Sequence, residues 1–540
     1  MRPLFPTAGP APAASVPGVP VGHWLLAVSP VVVLLLLVLW GRLPMWVNAV
    51  VTVAWASLVA WSSFGAGTAT VLVGLGKGAW VGVWILYVIG PALLVHHLAS
   101  SVGMTALGRV LAGILPTRTE NVLLLAWVLP SFIQGVSGFG TPIAVAAPLL
   151  VALGVGRTRA VALPLVGYHW AVGFGSMGSS FYMGALTAHL DGSETAEYAA
   201  AAALALGVNC LLSGLLVALM SGGRSALREA WPMLVTVGPA MALVQAAVVR
   251  VEPGIGALCG GAAGVAVVFL LRRLRGGSAP APEARDEVVP EERGRARAAV
   301  VPYVLLAAVA LAVFLPPPVR AWAKGHLLLG PSFPATSAAD GVRTAAVDTY
   351  NPIAVVGHPG TFLLVACLGS VLVWRWGGRW PHGSWGPVWR GALRQLRKSS
   401  PSVVLLASVA GVLVDSGMVT TVARGAAAAA GSAYPAVAPL VGALGSFVTG
   451  STTSSNALFS ALQAEVATLT GAPRADLLAG QLAGGNIGNS LAPVVIVLGL
   501  SAVGGDRSSA GRVLRTTLLP AAVLLAATVA VTSAVVALHA

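Results

Sequence analysis

Charge is what this 540-residue sequence lacks most: Asp, Glu, Lys and Arg together make up 9% of it, where a soluble chain carries about a quarter. That excludes an ordinary water-soluble protein and a receptor with a large solvated domain. Acidic residues are the scarcer sign, 17 against 31 Lys plus Arg, giving a net charge of +14. The basic residues sit in short connections between apolar runs, so an anionic membrane surface accounts for them and no nucleic-acid partner is needed. Cysteine is almost missing. Cys210, Cys259 and Cys367 lie inside apolar segments with neither disulfide nor metal-ligand spacing, and are expected to be small buried hydrophobes. No HExxH or GxSxG constellation occurs and the carboxylates are scattered, so nothing indicates an enzyme, a cofactor or a metal. A cleavable signal peptide is not expected either. Residues 1–22 are Pro/Ala/Gly-rich without an apolar h-region, and they predict a disordered tail ahead of an uncleaved first helix.

Apolar residues are what the chain has: 57% of the whole, with a mean hydropathy of +0.86. A span needs about 20 mostly apolar residues. On that rule the sequence predicts an all-α polytopic membrane protein of about 12 transmembrane helices plus two re-entrant or broken hairpins. The spans fall near 24–40, 45–62, 79–99, 160–186, 198–220, 231–249, 254–272, 300–315, 352–374, 401–423, 476–503 and 513–538; the hairpins occupy 121–153 and 436–469. Residues 23–272 form one half and 300–540 the other, joined by a polar linker at 273–299. A Pro-rich loop, 316–351, follows in the second half. The segment 375–400, in which Trp and Arg alternate, has the composition of a membrane-interface segment. The Arg-rich connections fall on one side of this arrangement, which the positive-inside rule makes cytoplasmic. Both termini are then expected outside a bacterial plasma membrane.

The two interruptions carry the functional reading. Gln134-Gly-Val-Ser-Gly-Phe-Gly-Thr-Pro142 and Gly450-Ser-Thr-Thr-Ser-Ser-Asn456 place glycines and small polar side chains where a membrane helix would carry Leu or Val. Backbone that leaves the helix at membrane depth must face protein or water. Each break precedes a glycine cluster, Gly173-Phe-Gly-Ser-Met-Gly178 and Gly484-Gly-Asn-Ile-Gly-Asn489, expected to interrupt a further helix. The order is the same, 36 residues separate Ser137 from Gly173 and 33 separate Ser451 from Gly484, and the hairpins run in opposite directions. That is the pattern of inverted repeats meeting near the midplane.

A broken helix offers unpaired N–H groups at the start of its second half, with the positive end of its dipole behind them. With glycine for close approach and hydroxyls as extra donors, this makes a site for a small carboxylate without a permanent cation. The candidate substrate-binding residues are Ser137, Gly138, Gly140, Thr141, Gly175 and Ser176 in the first half. In the second they are Ser451, Thr452, Thr453, Ser454, Ser455, Asn456, Gly485, Asn486 and Asn489. Packing alone explains a single glycine in a membrane helix; six consecutive polar residues need more. Ionisable groups inside spans are functional candidates because burying charge is costly, and His169 and Asp415 are the candidates for handling a proton. For His169 the plain alternative is a neutral ring bonded to nearby backbone.

These same residues carry a resemblance. Phe132 to Val145 with Val172 to Gly178, and Ser416 to Met418 with Thr449 to Gln463 and Ala483 to Pro493, resemble the signatures of the lactate permease family, in the same order from about residue 24 to the end. The resemblance implies a bacterial permease carrying L-lactate, with D-lactate or glycolate, together with a proton. The family's first motif has Glu where this chain has Gln134, and its second has Asp where this chain has Thr452. Gln134 therefore joins the proton-coupling candidates by position, and Asp415 is the candidate substitute for the lost carboxylates. The reading is a secondary active transporter of a small 2-hydroxymonocarboxylate, with the lipid bilayer and a proton as partners and a homodimer as its assembly. Its alternatives are a transporter of another small organic anion with different ion coupling, and a passive anion channel.

Overall fold

The computed structural model describes residues 19–111, 114–138, 140–275, 290–338, 342–377 and 385–539. Most of the expected tail, the middle of the polar linker, Asp340 and Trp380 lie outside the described residues. Helices follow the apolar runs. The first half contains α1 (Val21–Trp40), α2 (Met45–Ser63), α3 (Thr68–Val102), α4 (Met104–Leu111), α5 (Arg118–Leu123), α6 (Leu129–Val136), α7 (Thr141–Ala152), α8 (Arg157–Tyr168), α9 (Gly175–Thr187), α10 (Gly192–Val248) and α11 (Gly256–Leu274). The second contains α12 (Pro290–Phe314), α13 (Pro317–Gly325), α14 (Pro359–Trp376), α15 (Trp385–Asp415), α16 (Met418–Ala430), α17 (Tyr434–Thr449), α18 (Thr452–Thr470), α19 (Arg474–Leu491), α20 (Pro493–Ala502) and α21 (Ala510–His539). Among the described residues, 11 helices are long and apolar enough to cross a membrane, or 12 if the bent pair α19–α20 is one span. The protein is an all-α polytopic membrane protein; its few strands are two-residue ribbons in the 316–351 loop and just after it.

The two hairpins enter from opposite ends, and α10 serves as the ruler. In the first hairpin the Arg118 guanidinium donates to the Gly154 carbonyl at 3.0 Å, so its two ends return together. Thr119 beside Arg118 bonds Glu229, just past the kink that Gly222 and Gly223 put in α10. In the second hairpin, Tyr434 and Ala467 at the two ends share one apolar cluster. The next helix starts with Arg474, which pairs at 2.7 Å with Glu194 in the first turn of α10. Glu194 and Gly222 are 28 residues apart, about 42 Å along a helix.

α3 and α15 form the central antiparallel pair. Their backbones approach so closely that a Cβ at Gly78 would lie 2.2 Å from the Ala407 carbonyl oxygen, and one at Gly411 2.1 Å from that of Gly74. Small residues permit such contacts between membrane helices, where dispersion replaces the hydrophobic effect. α15 runs unbroken from Trp385, so the basic and aromatic segment is continuous with the span after it.

One expected interruption is absent. The first glycine cluster does break its helix, with Ser176, Met177 and Gly178 all in the left-handed region. The second does not: α19 continues through Gly484–Asn489 and bends by 49° only at Ala492 and Pro493. Its glycines serve packing instead. Cβ atoms at Gly484 and Gly488 would each lie 2.0 Å from carbonyl oxygens of α17, those of Pro439 and Ala443.

Candidate functional site

The two breaks meet in one cavity of about 360 Å³. The first supplies Gln134, Gly138 and Gly140, and α9 supplies Ser176, Ser179 and Ser180. The second supplies Gly450, Ser451, Thr452 and Thr453, with Asn489 beside them and Val494 and Leu498 of α20 closing an apolar side. Glycine is needed where the chain turns: Gly140 has φ +82° and Gly450 φ +70°, both in the left-handed region. A Cβ at Gly138 would lie 2.2 Å from Ser176 Oγ, which accepts a 2.7 Å hydrogen bond from the Gly138 N–H.

The donors are unequal. Ser451 caps α18, its hydroxyl accepting from Ser454 N–H and its carbonyl from Ser455 N–H, so the Thr452 and Thr453 amides precede the first bonds of the helix. The Thr452 hydroxyl is buried without a partner among the described residues, and so is the side-chain amide oxygen of Asn489. At the first break the Thr141 amide is already bonded to Gly138 and Pro142 has none to give. The second break thus leaves the more open set of donors.

Several candidates sit behind the cavity wall. Ser137 and Thr141 bond each other at 3.0 Å, and Ser455 donates to the Gly442 carbonyl at 3.0 Å. Asn456 donates to the Ser180 carbonyl at 2.8 Å, while Ser180 and Thr453 join hydroxyls at 2.9 Å, tying the halves together. Ser454 is buried in the first turn of α18, Gly175 packs on Gln134, and Gly485 packs on Ser446 and Thr452. Asn486 is buried with both amide atoms unpartnered among the described residues, outside the cavity lining. His169 is buried too, its Nδ1 2.9 Å from the Val166 carbonyl and 3.3 Å from the Ser213 hydroxyl.

Asp415 lies in a different place. Its carboxylate is 2.9 Å from the Lys77 ammonium, both side chains almost fully buried, and the Thr344 hydroxyl donates to it at 3.4 Å. This pair borders a second cavity of about 260 Å³, with His189 and Tyr350 also in its wall. α9 and α15 run from one cavity to the other: Ser180 lines the first and Thr187 the second, seven residues apart, about 10 Å along the helix. The 316–351 loop packs over this end, with Thr70 donating to the Ser337 carbonyl and Trp80 to that of Asn351.

Sequence reasoning missed Lys398. The site was expected to hold no fixed cation, yet Gln395, Lys398 and Ser399 of α15 line the first cavity, with Lys398 exposed. Trp and Arg neighbours disguised these three as part of an interface segment. Their spacing of three and four residues, one helical face, was the signal available.

Comparison with known proteins follows this geometry. The chain is 27% identical over 489 residues to the L-lactate permease of Escherichia coli, covering 86% of this chain and 87% of that one. It is 28% identical over 407 residues to the L-lactate permease of Streptococcus iniae, covering 72% and 79%. It is 26% identical over 462 residues to the glycolate permease GlcA of Escherichia coli, covering 79% and 80%. Among solved structures, the YdaH transporter of Alcanivorax borkumensis aligns with a TM-score of 0.48 at 13% identity, covering 93% of this chain and 98% of that one. The family model described as L-lactate permease matches residues 23–539, and the chain belongs to that family.

Proposed function

We propose that this transporter imports a small 2-hydroxymonocarboxylate together with a proton, L-lactate first, with D-lactate and glycolate as further substrates. The observation that carries this reading is the single cavity between two backbone breaks entering from opposite ends. The substrate carboxylate takes the Thr452 and Thr453 amides and the Thr452 hydroxyl, with Lys398 drawing it in. The 2-hydroxyl takes the Gln134 amide and the serines of α9. Val494 and Leu498 receive the methyl group, which glycolate lacks. The names of the relatives, lactate and glycolate permeases, fit an acid of this size. The two halves act as inverted repeats around this cavity.

For the proton, Gln134 and Thr452 cannot serve, since neither carries a carboxyl group. Asp415 supports that role by its position: a buried carboxylate on α15, the helix that also lines the substrate cavity, bordering the second cavity. Protonation of Asp415 would release its ion pair with Lys77.

Uptake of labelled L-lactate into proteoliposomes, with glycolate, pyruvate and succinate as competitors and with or without an inward proton gradient, tests the reading. Gradient-driven accumulation, with competition by lactate and glycolate exceeding that by succinate, is expected. Uptake that only equilibrates would mean a channel, and preference for succinate a different substrate class.

A further inference from the structure

A larger cavity lies away from the first one. It is an apolar groove of about 700 Å³ between α11 and α6 on one side and α12 and α4 on the other, within the size range of small-molecule sites. Leu258 and Phe132 form its floor, while Phe269 and Val304 at its rim are 41% and 58% exposed, so it opens sideways toward the bilayer. At one end stand Arg293 and Arg297, both exposed and one helical turn apart on α12.

The charge there is unbalanced. Among the described residues, the neighbouring arginines have partners, Arg295 with Glu291 and Arg109 with Glu292, both at 2.7 Å. No carboxylate of the described residues pairs with Arg293 or Arg297. Farther along the same wall is Tyr303, 1% exposed, its hydroxyl without a partner among the described residues. Six residues separate it from Arg297, about 9 Å along the helix axis. The order along the groove is two cations, then a lone hydroxyl, then hydrocarbon-lined space.

We infer that this groove is a binding site for one anionic phospholipid. Its phosphate lies against Arg293 and Arg297, an ester carbonyl accepts from Tyr303, and an acyl chain fills the apolar length. Basic pockets between membrane helices recognise anionic head groups in this way. The groove also shares a helix with the substrate cavity: α6 presents Phe132 to the one and Gln134 to the other.

The test is native mass spectrometry of the full-length protein purified in mild detergent, titrated with phosphatidylglycerol, phosphatidylcholine or glycerol phosphate. Wild type is expected to retain one phosphatidylglycerol in preference to phosphatidylcholine, and to bind no glycerol phosphate. The double substitution R293Q/R297Q is expected to weaken phosphatidylglycerol by about thirtyfold, from about 1 kcal/mol per arginine, and to erase the preference. Ala262→Trp, at an exposed position in the groove wall, is expected to displace both lipids while leaving the arginines in place. The inference is overturned if both lipids bind wild type equally, if glycerol phosphate binds as well as the lipid, or if Ala262→Trp, with an unchanged thermal midpoint, retains phosphatidylglycerol.

Discussion

Thr452 and Ser455 lie three residues apart on α18, and their partners separate them. The Thr452 hydroxyl borders the first cavity and has no partner among the described residues, whereas the Ser455 hydroxyl is spent on the Gly442 carbonyl. Thr452→Val keeps the volume and removes the donor, so it should lower lactate uptake by about tenfold without lowering the thermal midpoint; Thr452→Ser should restore uptake. Ser455→Ala should do the reverse, costing about 1 kcal/mol of stability with KM unchanged. Uptake kinetics and thermal unfolding on the same preparations check both. Lys398 is exposed at its end, so solvent screens its attraction for the substrate. Lys398→Gln should raise KM about tenfold, from the lower end of a charge-assisted hydrogen bond, and should flatten the dependence of KM on ionic strength. Of the residues at this cavity, glycines and hydroxyls stood out in the sequence because they interrupt hydrocarbon. Lys398 did not, because its Trp and Arg neighbours gave the whole segment the composition of a membrane interface.

At the scale of elements, α3 and α15 hold together by glycine contacts and by one ion pair. Lys77 and Asp415 are 338 residues apart, so no local pattern could join them. Removing one partner strands a buried charge, whereas replacing both with apolar groups of similar volume relieves the desolvation cost. Asp415→Asn should therefore lose about 3 kcal/mol of stability, and Lys77→Met with Asp415→Leu should recover most of it. The transport readout then separates two roles. If Asp415 carries the proton, the recovered double variant exchanges lactate across the membrane but no longer accumulates it on a proton gradient. Accumulation equal to wild type would leave the pair a structural clasp only. The missed continuity of α19 belongs here too. Two clusters of three glycines each differ because Ser176 and Met177 adopt the left-handed conformation, at about 1 kcal/mol or more each. Gly484 and Gly488 stay helical and let α17 approach. Sequence shows that a glycine permits both; the neighbour decides which.

For the whole molecule, the decisive relation is which side the cavity opens to. The two hairpins, their order and their opposed entry were legible from glycine punctuation and from the alternation of charged connections. What closes each end was not, because the 316–351 segment reads only as a Pro-rich loop and yet packs over the second cavity, with Thr344, Val347 and Tyr350 in its wall. The first cavity lies beside the basic end of α15, where Arg390, Arg394 and Arg397 are exposed. The positive-inside rule expects that end to be cytoplasmic, which would make the first cavity open inward and put the loop on the outer side. Ser399→Cys tests the assignment, in a background with the half-buried Cys259 replaced by Ser; Cys210 and Cys367 are buried. A membrane-impermeant maleimide should label the new thiol in inside-out vesicles and not in right-side-out ones, and lactate should slow the labelling by filling the cavity beside it. Labelling from the outer face alone would reverse the orientation of every helix. Labelling from both faces at equal rates would replace alternating access with an open pore.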